Sequence, residues 1–239
     1  MKKNLLVISD GNGVDTDFKK WPTLLKILTT KKLNVINYSV IGASNEMMLM
    51  RLAEVVNKQK IDYAIIQWTN PHRFDVMATE FWQEQAKADA DYNFNLVDSN
   101  NIKWWVTSAS SNPYIQDYHN RYVTLPHALM RSQANIIAAA ELLKFYSIEF
   151  AFTLCYAFDF SGPYQSALDS YPWIWHKANK GISDYRYVSE FLTHDTGKPQ
   201  PHPLIGLDWI NQVLKPGCAF IDYDDEVYYN IKQSLLKHV

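Results

Sequence analysis

Residues 4–16 read NLLVISDGNGVDT, in which an apolar run from Leu5 to Ile8 stops abruptly at small and acidic residues. A short apolar run bounded by such a loop predicts a buried strand followed by a sharp turn. In open α/β sheets, ligands bind and chemistry is done at the carboxyl ends of the strands. The loop that begins at Ser9 is therefore the first place to look for a functional site.

The same pattern repeats further along the chain. Apolar strands are predicted at 34–38 and 63–67, and helices with one apolar face are predicted at 21–28 and 45–57. The later elements are a helix, a strand and two C-terminal helices, at 121–148, 149–156, 203–214 and 226–237. Apolar strands that alternate with amphipathic helices are typical of a parallel sheet covered on both faces. The predicted fold is a three-layer α/β/α sandwich with a doubly wound, mainly parallel sheet of the flavodoxin-like kind.

The sequence predicts a single domain that spans residues 1–239, because no linker rich in Gly, Ser and Pro divides the chain. The alternation weakens in two places. We interpret residues 68–120 as an irregular insertion, with a short helix at 81–90 and a strand at 104–107. Residues 159–200 are rich in aromatic side chains and are predicted to be an irregular loop region.

Composition narrows the range of partners. The chain has 23 Lys and Arg against 25 Asp and Glu, and this formal net charge of -2 indicates no binding to nucleic acid or to an anionic membrane. No apolar run approaches the length of a transmembrane helix or of a secretion signal. We expect a soluble, cytoplasmic chain without a signal peptide. Cys155 and Cys218 have no spacing motif and are predicted to be reduced thiols.

Three patterns that point to a cofactor or a metal are incomplete. Gly-Asn-Gly at 11–13 lacks the third glycine of a dinucleotide loop and the lysine of a triphosphate loop. The acidic loop at 10–17 is not an EF-hand, because a tryptophan stands where the bidentate glutamate belongs. His194, Asp195 and His202 lack a further histidine or cysteine at metal-ligand spacing. We therefore expect neither a cofactor nor a metal.

Four segments at the predicted strand ends resemble, in order, the four sequence blocks of the SGNH/GDSL hydrolases. Ser-Asp-Gly at 9–11, with Trp-Pro at 21–22, is similar to the Gly-Asp-Ser block. Asn-Tyr-Ser-Val-Ile-Gly at 37–42 is similar to the Asn-x-Gly-x-x-Gly block, and Gln-Trp-Thr-Asn at 67–70 to Gly-x-Asn-Asp. Gln-Pro-His-Pro at 200–203 is similar to Asp-x-x-His-Pro. The run around the third segment also resembles phage and marine bacterial members of the family.

The resemblance implies an ester-cleaving site. In this family a serine attacks an ester carbonyl, a histidine takes its proton, and an acid orients the histidine. The second-block glycine and the third-block asparagine help to bind the oxyanion that forms, and these roles fall on Gly42 and Asn70. The general base falls on His202. The acid is displaced, because Pro199 stands three residues before His202, and the nearest aspartate on that side is Asp195.

Two alignments place different residues at the nucleophile position. An alignment without a gap keeps the strand length and places Gly11 at the nucleophile position, which makes the site inert. A shift of two residues places Ser9 there instead, with Gly13 where many members also have glycine, but loses the Gly-Asp pair. The ungapped alignment is favoured. Ser9 and Asp10 remain candidate catalytic residues, and their structural alternative is to cap a turn or a helix.

Two functions follow from the resemblance. The first is an esterase or deacetylase that acts on an acylated carbohydrate or a small ester. The second is a catalytically inactive SGNH-fold protein that binds carbohydrate or serves in a structural assembly such as a homo-oligomer or a phage virion. An unrelated α/β domain without such a site is a third alternative. Four aromatic residues before His202 are candidates to stack on sugar faces: Tyr171, Trp173, Trp175 and Tyr185.

Overall fold

The computed structural model describes 2–10, 20–40, 42–77, 95–99, 102–107, 117, 121–155, 162–174, 192–193, 200–201 and 203–237. The strands are β1 (Lys3–Ile8), β2 (Leu33–Asn37), β3 (Tyr63–Trp68), β4 (Phe74–Met77), β5 (Asn95–Ser99), β6 (Ile102–Thr107), β7 (Glu149–Leu154), β8 (Leu192–Thr193) and β9 (Gln200–Pro201). The helices are α1 (Trp21–Leu28), α2 (Asn45–Lys58), α3 (Leu125–Phe145), α4 (Gln165–Asp169), α5 (Pro203–Trp209), α6 (Lys215–Gly217) and α7 (Asp225–Leu236), with a π-helical segment at Ile210–Leu214.

The main sheet has four parallel strands in the order β2-β1-β3-β7. Beyond β7, Trp173 forms a single parallel bridge with Phe152. The Phe152 amide donates to the carbonyl of Pro172, and the Ile174 amide donates to the carbonyl of Phe152, both at 2.9 Å. The predicted α/β fold with a mainly parallel sheet is confirmed.

Two apolar cores lie on opposite faces of this sheet because neighbouring side chains of a strand point to opposite sides. Leu6 and Ile8 of β1 pack in one core with side chains of α2 and α3. Leu5 and Val7 pack in the other core with side chains of α1, α5 and α7. All four residues are buried. Burial on both faces explains why the last four residues of β1, Leu5 to Ile8, are apolar without interruption.

The helices begin at residues that suit helix termini. α1 spans the predicted residues, with Pro22 in its first turn. The Ser44 hydroxyl caps α2 by accepting from the amides of Glu46 and Met47. α3 begins later than predicted, at Leu125, because the Thr124 hydroxyl caps it by accepting from the amide of His127.

The insertion is not irregular where the structure describes it. β4, β6 and β5 form a separate antiparallel sheet in that order, and the predicted strand at 104–107 is the end of β6. The helix predicted at 81–90 lies outside the described residues. Near the C-terminus, the predicted helix at 203–214 becomes π-helical from Ile210 onward. None of the described helices is long and apolar enough to cross a membrane.

Candidate functional site

Ser9 continues the pairing of β1 with the chain that follows β2. The amide of Val40 donates to the carbonyl of Ser9 at 3.0 Å. Ser9 is fully buried, and its Oγ lies 3.0 Å from Oγ of Ser39 and 3.1 Å from the carbonyl of Asp10. Ser39 in turn donates to Oδ1 of Asn37 at 2.6 Å. Ser9 therefore occupies the end of a strand ladder, with its hydroxyl turned to protein partners.

Asp10 joins the carboxyl ends of three strands. Its Oδ2 accepts from Oγ1 of Thr69 at 3.1 Å, from Nη1 of Arg73 at 2.8 Å and from Sγ of Cys155 at 3.3 Å. The residue is only 1% exposed. Burying a carboxylate is costly unless hydrogen-bond donors and an opposite charge surround it. The carboxylate thus ties the end of β1 to the residues that follow β3 and β7.

The loop after β3 is also held by Asn45, the first residue of α2. Oδ1 of Asn45 accepts from the amide of Thr69 at 2.9 Å, and its Nδ2 donates to the carbonyl of Thr69 at 3.2 Å. The same Nδ2 group donates to Oγ of Ser132 on α3 at 3.1 Å. All three residues are buried. One side chain therefore links this loop to two helices.

Gly42 and Asn70 both offer donors at this end of the sheet. Oδ1 of Asn70 accepts from the amide of His72 at 2.8 Å, and the amide of Arg73 donates to the carbonyl of Asn70 at 3.0 Å. Gly42 has a φ of 78°, a conformation that favours glycine. Within the described part of the chain, neither the Gly42 N–H nor Nδ2 of Asn70 has a hydrogen-bond partner.

The aromatic candidates Tyr171 and Trp173 lie at the β7 edge of the sheet, and both rings pack edge-on against Phe152. Nε1 of Trp173 donates to the carbonyl of Leu168 at 2.8 Å. The hydroxyl of Tyr171 lies 3.4 Å from Oε1 of Glu141. Burial is the main cause that raises the pKa of Tyr171 above its ordinary value. Protein contacts therefore occupy much of both side chains.

The remaining predicted site residues lie outside the described residues: Gly11, Trp175, Tyr185, Asp195 and His202. The described residues contain no group of three or more His, Cys, Asp or Glu side chains able to hold a metal ion.

Sequence reasoning missed several partners of the site, namely Ser39, Asn45, Thr69, Arg73, Ser132 and Cys155. Thr69 and Arg73 were within the third matched segment or next to it, yet their side chains were assigned no role. Asn45 stood at a predicted helix start, where capping accounts for such a residue. The sequence offered one signal, a polar residue directly after an apolar strand. That signal does not show which side chain the polar residue will bond to.

A comparison with solved structures finds proteins whose backbones align with that of this chain. TesA aligns with a TM-score of 0.50 at 13% identity, over 90% of this chain and 100% of that chain. AlinE4, an SGNH-hydrolase family esterase, aligns with a TM-score of 0.36 at 14% identity, over 70% of this chain and 63% of that chain. A GDSL-like lipase from Bacteroides thetaiotaomicron aligns with a TM-score of 0.44 at 13% identity, over 99% of this chain and 89% of that chain.

No family model and no curated protein matches the sequence. At such low identity a structural likeness establishes the fold alone. The order of the main sheet and the alignment over the whole of TesA agree with the resemblance of the four strand-end segments. The chain therefore has the fold of the SGNH/GDSL hydrolases.

Proposed function

We propose that this protein is an SGNH-type esterase that removes an acyl group, such as acetyl, from a carbohydrate. One observation carries the proposal: the Gly42 N–H and Nδ2 of Asn70 have no partner among the described residues, at the end of the sheet where Ser9 and Asp10 lie. Donors held in place for an oxyanion stabilise the transition state of acyl transfer, and losing one slows such enzymes by about 10²- to 10³-fold.

In the proposed reaction, Oγ of Ser9 attacks the ester carbonyl and its proton passes to His202. The oxyanion accepts hydrogen bonds from Gly42 and Asn70, and the sugar alcohol leaves with the proton from His202. Water, deprotonated by His202, then attacks the acyl-serine; the bond to Oγ of Ser9 breaks, Oγ takes the proton back from His202, and the carboxylic acid is released. Asp195 would orient the imidazole. The hydroxyl of Ser9 must first leave its protein partners by rotating about χ1.

A second candidate is an inactive descendant of the fold that binds a carbohydrate or assembles with other subunits. The burial of Ser9 within the strand ladder favours it. In this candidate the nucleophile position is that of Gly11, which has no side chain to attack with. The acylated sugar is held and not cleaved, or the surface serves a homo-oligomer or a virion.

A fluorophosphonate probe distinguishes the two candidates, because it labels an activated serine. We expect an adduct on Ser9, located by peptide mass spectrometry, and its loss in His202→Ala. Release of acetate from acetylated xylan should stop in Ser9→Ala. Ser39→Ala is the matched control, since it removes a partner of the Ser9 hydroxyl and leaves the nucleophile in place. A folded protein with no adduct and no acetate release contradicts the esterase proposal.

Glycan binding tests the second candidate directly. Trp175→Ala should then lower the affinity for acetylated xylan at least tenfold in calorimetry, while Ser9→Ala leaves it unchanged. Trp173→Ala needs Trp173→Phe as its control, because the ring of Trp173 packs against Phe152. Unchanged affinity in both tryptophan-to-alanine variants would show that the aromatic region is not part of the binding site.

A further inference from the structure

We propose that Asn45 is a positioning residue that sets the separation of the two oxyanion donors, Gly42 and Asn70. This inference rests on the proposed function of the same site. Gly42 belongs to the connection between β2 and α2, whereas Asn70 belongs to the loop after β3, so the fold must hold two separate connections in register. Asn45 is the side chain that joins them.

The connection on the Gly42 side is fixed close to Asn45. The amide of Ala43 donates to the carbonyl of Val40 at 3.2 Å. Ser44 caps α2, and Asn45 follows it as the first helical residue. Ala43 and Ser44 are both 1% exposed. Gly42 is therefore three residues from Asn45 along a stretch that is packed into the protein.

The contact on the Asn70 side is bidentate. Asn45 accepts from the N–H of Thr69 and donates to the C=O of Thr69, so its side-chain amide acts as a strand backbone would. Thr69 directly precedes Asn70 in the chain. Two hydrogen bonds to one residue fix its orientation as well as its position. A shift of Thr69 would therefore move Asn70.

The chemistry of this contact requires an asparagine. Oδ1 takes one hydrogen bond, and the two protons of Nδ2 go to Thr69 and to Ser132. An aspartate keeps the acceptor for the Thr69 N–H but has no donor for the Thr69 carbonyl. An alanine leaves both backbone groups of Thr69 unpaired in the interior, at a cost of about 1–3 kcal/mol each.

Kinetics with p-nitrophenyl acetate test the inference in an active enzyme. We expect Asn45→Asp to lower kcat about tenfold to a hundredfold and to change KM less than threefold, because oxyanion donors act in the transition state. Asn45→Ala should lower kcat at least as much. The matched controls are Asn57→Asp and Asn57→Ala, at the exposed far end of α2. An unchanged kcat in a folded Asn45→Asp variant overturns the inference.

A binding measurement separates this inference from the proposed function. In an NMR titration with methylphosphonate, a tetrahedral anion, the Gly42 amide and the Asn70 side-chain amide of the wild type should shift together. Asn45→Asp should weaken this response at least tenfold, and Asn57→Asp should not. Equal binding by Asn45→Asp, or no shift in the wild type, overturns the role of Asn45. A wild type that binds the anion without turning over esters defeats only the esterase proposal.

Discussion

Nη1 of Arg73 lies 2.8 Å from Oδ2 of Asp10, and the Asp10 side chain is 2% exposed whereas that of Arg73 is 22% exposed. The pair thus has one fully buried member and one that reaches toward solvent. Removing one partner of a buried pair leaves a buried charge without compensation, whereas replacing both partners costs less. Replacing both Asp10 and Arg73 should therefore destabilise the protein less than replacing only one of them.

Arg73→Met should lower the free energy of unfolding by about 2–4 kcal/mol, somewhat less than for a fully buried pair because Arg73 is partly solvated. The double variant with Asp10→Asn should recover part of that loss, since no buried charge remains. Urea unfolding of the wild type, both single variants and the double variant provides the measurement.

Arg121→Met is the matched control for Arg73→Met. Arg121 pairs with Asp117 at 2.7 Å, but both side chains are more than half exposed. Such surface pairs contribute about 0–1 kcal/mol. If Arg73→Met and Arg121→Met destabilise the protein equally, Asp10 is not held by its ion pair.

The fold was largely predictable because three strands of the main sheet, β1, β3 and β7, are buried on both faces along most of their length. Continuous apolar runs such as the one in β1 have few other uses in a chain of this composition. β5 shows the opposite case. Its sequence, NLVDS, carries only two apolar residues, and its strand conformation depends on pairing with β6. Strand preference is set by such neighbours as much as by the residues themselves.

For the site, the sequence predicted candidate residues but not their hydrogen-bond partners. The order of the matched segments pointed to Gly42 and Asn70 as donors. It did not reveal the pairing of Asp10 with Arg73, which are 63 residues apart, or that of Asn45 with Thr69, which are 24 apart. Asp10 follows a predicted strand and Asn45 begins a predicted helix, so capping explained these two side chains equally well. Only the packing of the loops decides which polar groups meet.

Thr153 carries a buried hydroxyl that has no hydrogen-bond partner among the described residues. It pairs in register with Gln67, whose Nε2 also lacks a partner there. Thr153→Val keeps the shape and removes the unsatisfied group, so we expect a stabilisation of about 1 kcal/mol.

Thr69→Val makes the same substitution at a threonine whose hydroxyl is hydrogen-bonded, so its expected effect on stability is the opposite. The hydroxyl of Thr69 donates to the buried carboxylate of Asp10 at 3.1 Å. Losing a hydrogen bond to a charged group costs about 1.5–3 kcal/mol. Thermal and urea unfolding of the two variants should therefore give shifts of opposite sign. A destabilised Thr153→Val would mean that its hydroxyl has a partner in the folded protein.

Cys218 links the stability of the fold to pH. The thiol is 3% exposed, in the core shared by α1, α5 and α7. Burial raises its pKa from an ordinary value near 9 to about 12. Between these values the unfolded chain releases the thiol proton and the folded chain keeps it. The stabilisation that this provides is complete below pH 9 and is lost as the pH rises toward 12.

Urea unfolding at pH 8 and pH 10 measures this loss. The wild type should lose about 1.4 kcal/mol more than Cys218→Ala between the two values, because one pKa unit corresponds to about 1.4 kcal/mol. Cys155 and the tyrosines are common to both proteins, so their ionisation cancels in the comparison. The cavity left by alanine lowers stability equally at both pH values. Parallel pH profiles of the two proteins would show that the Cys218 thiol ionises as readily in the folded protein as in the unfolded chain.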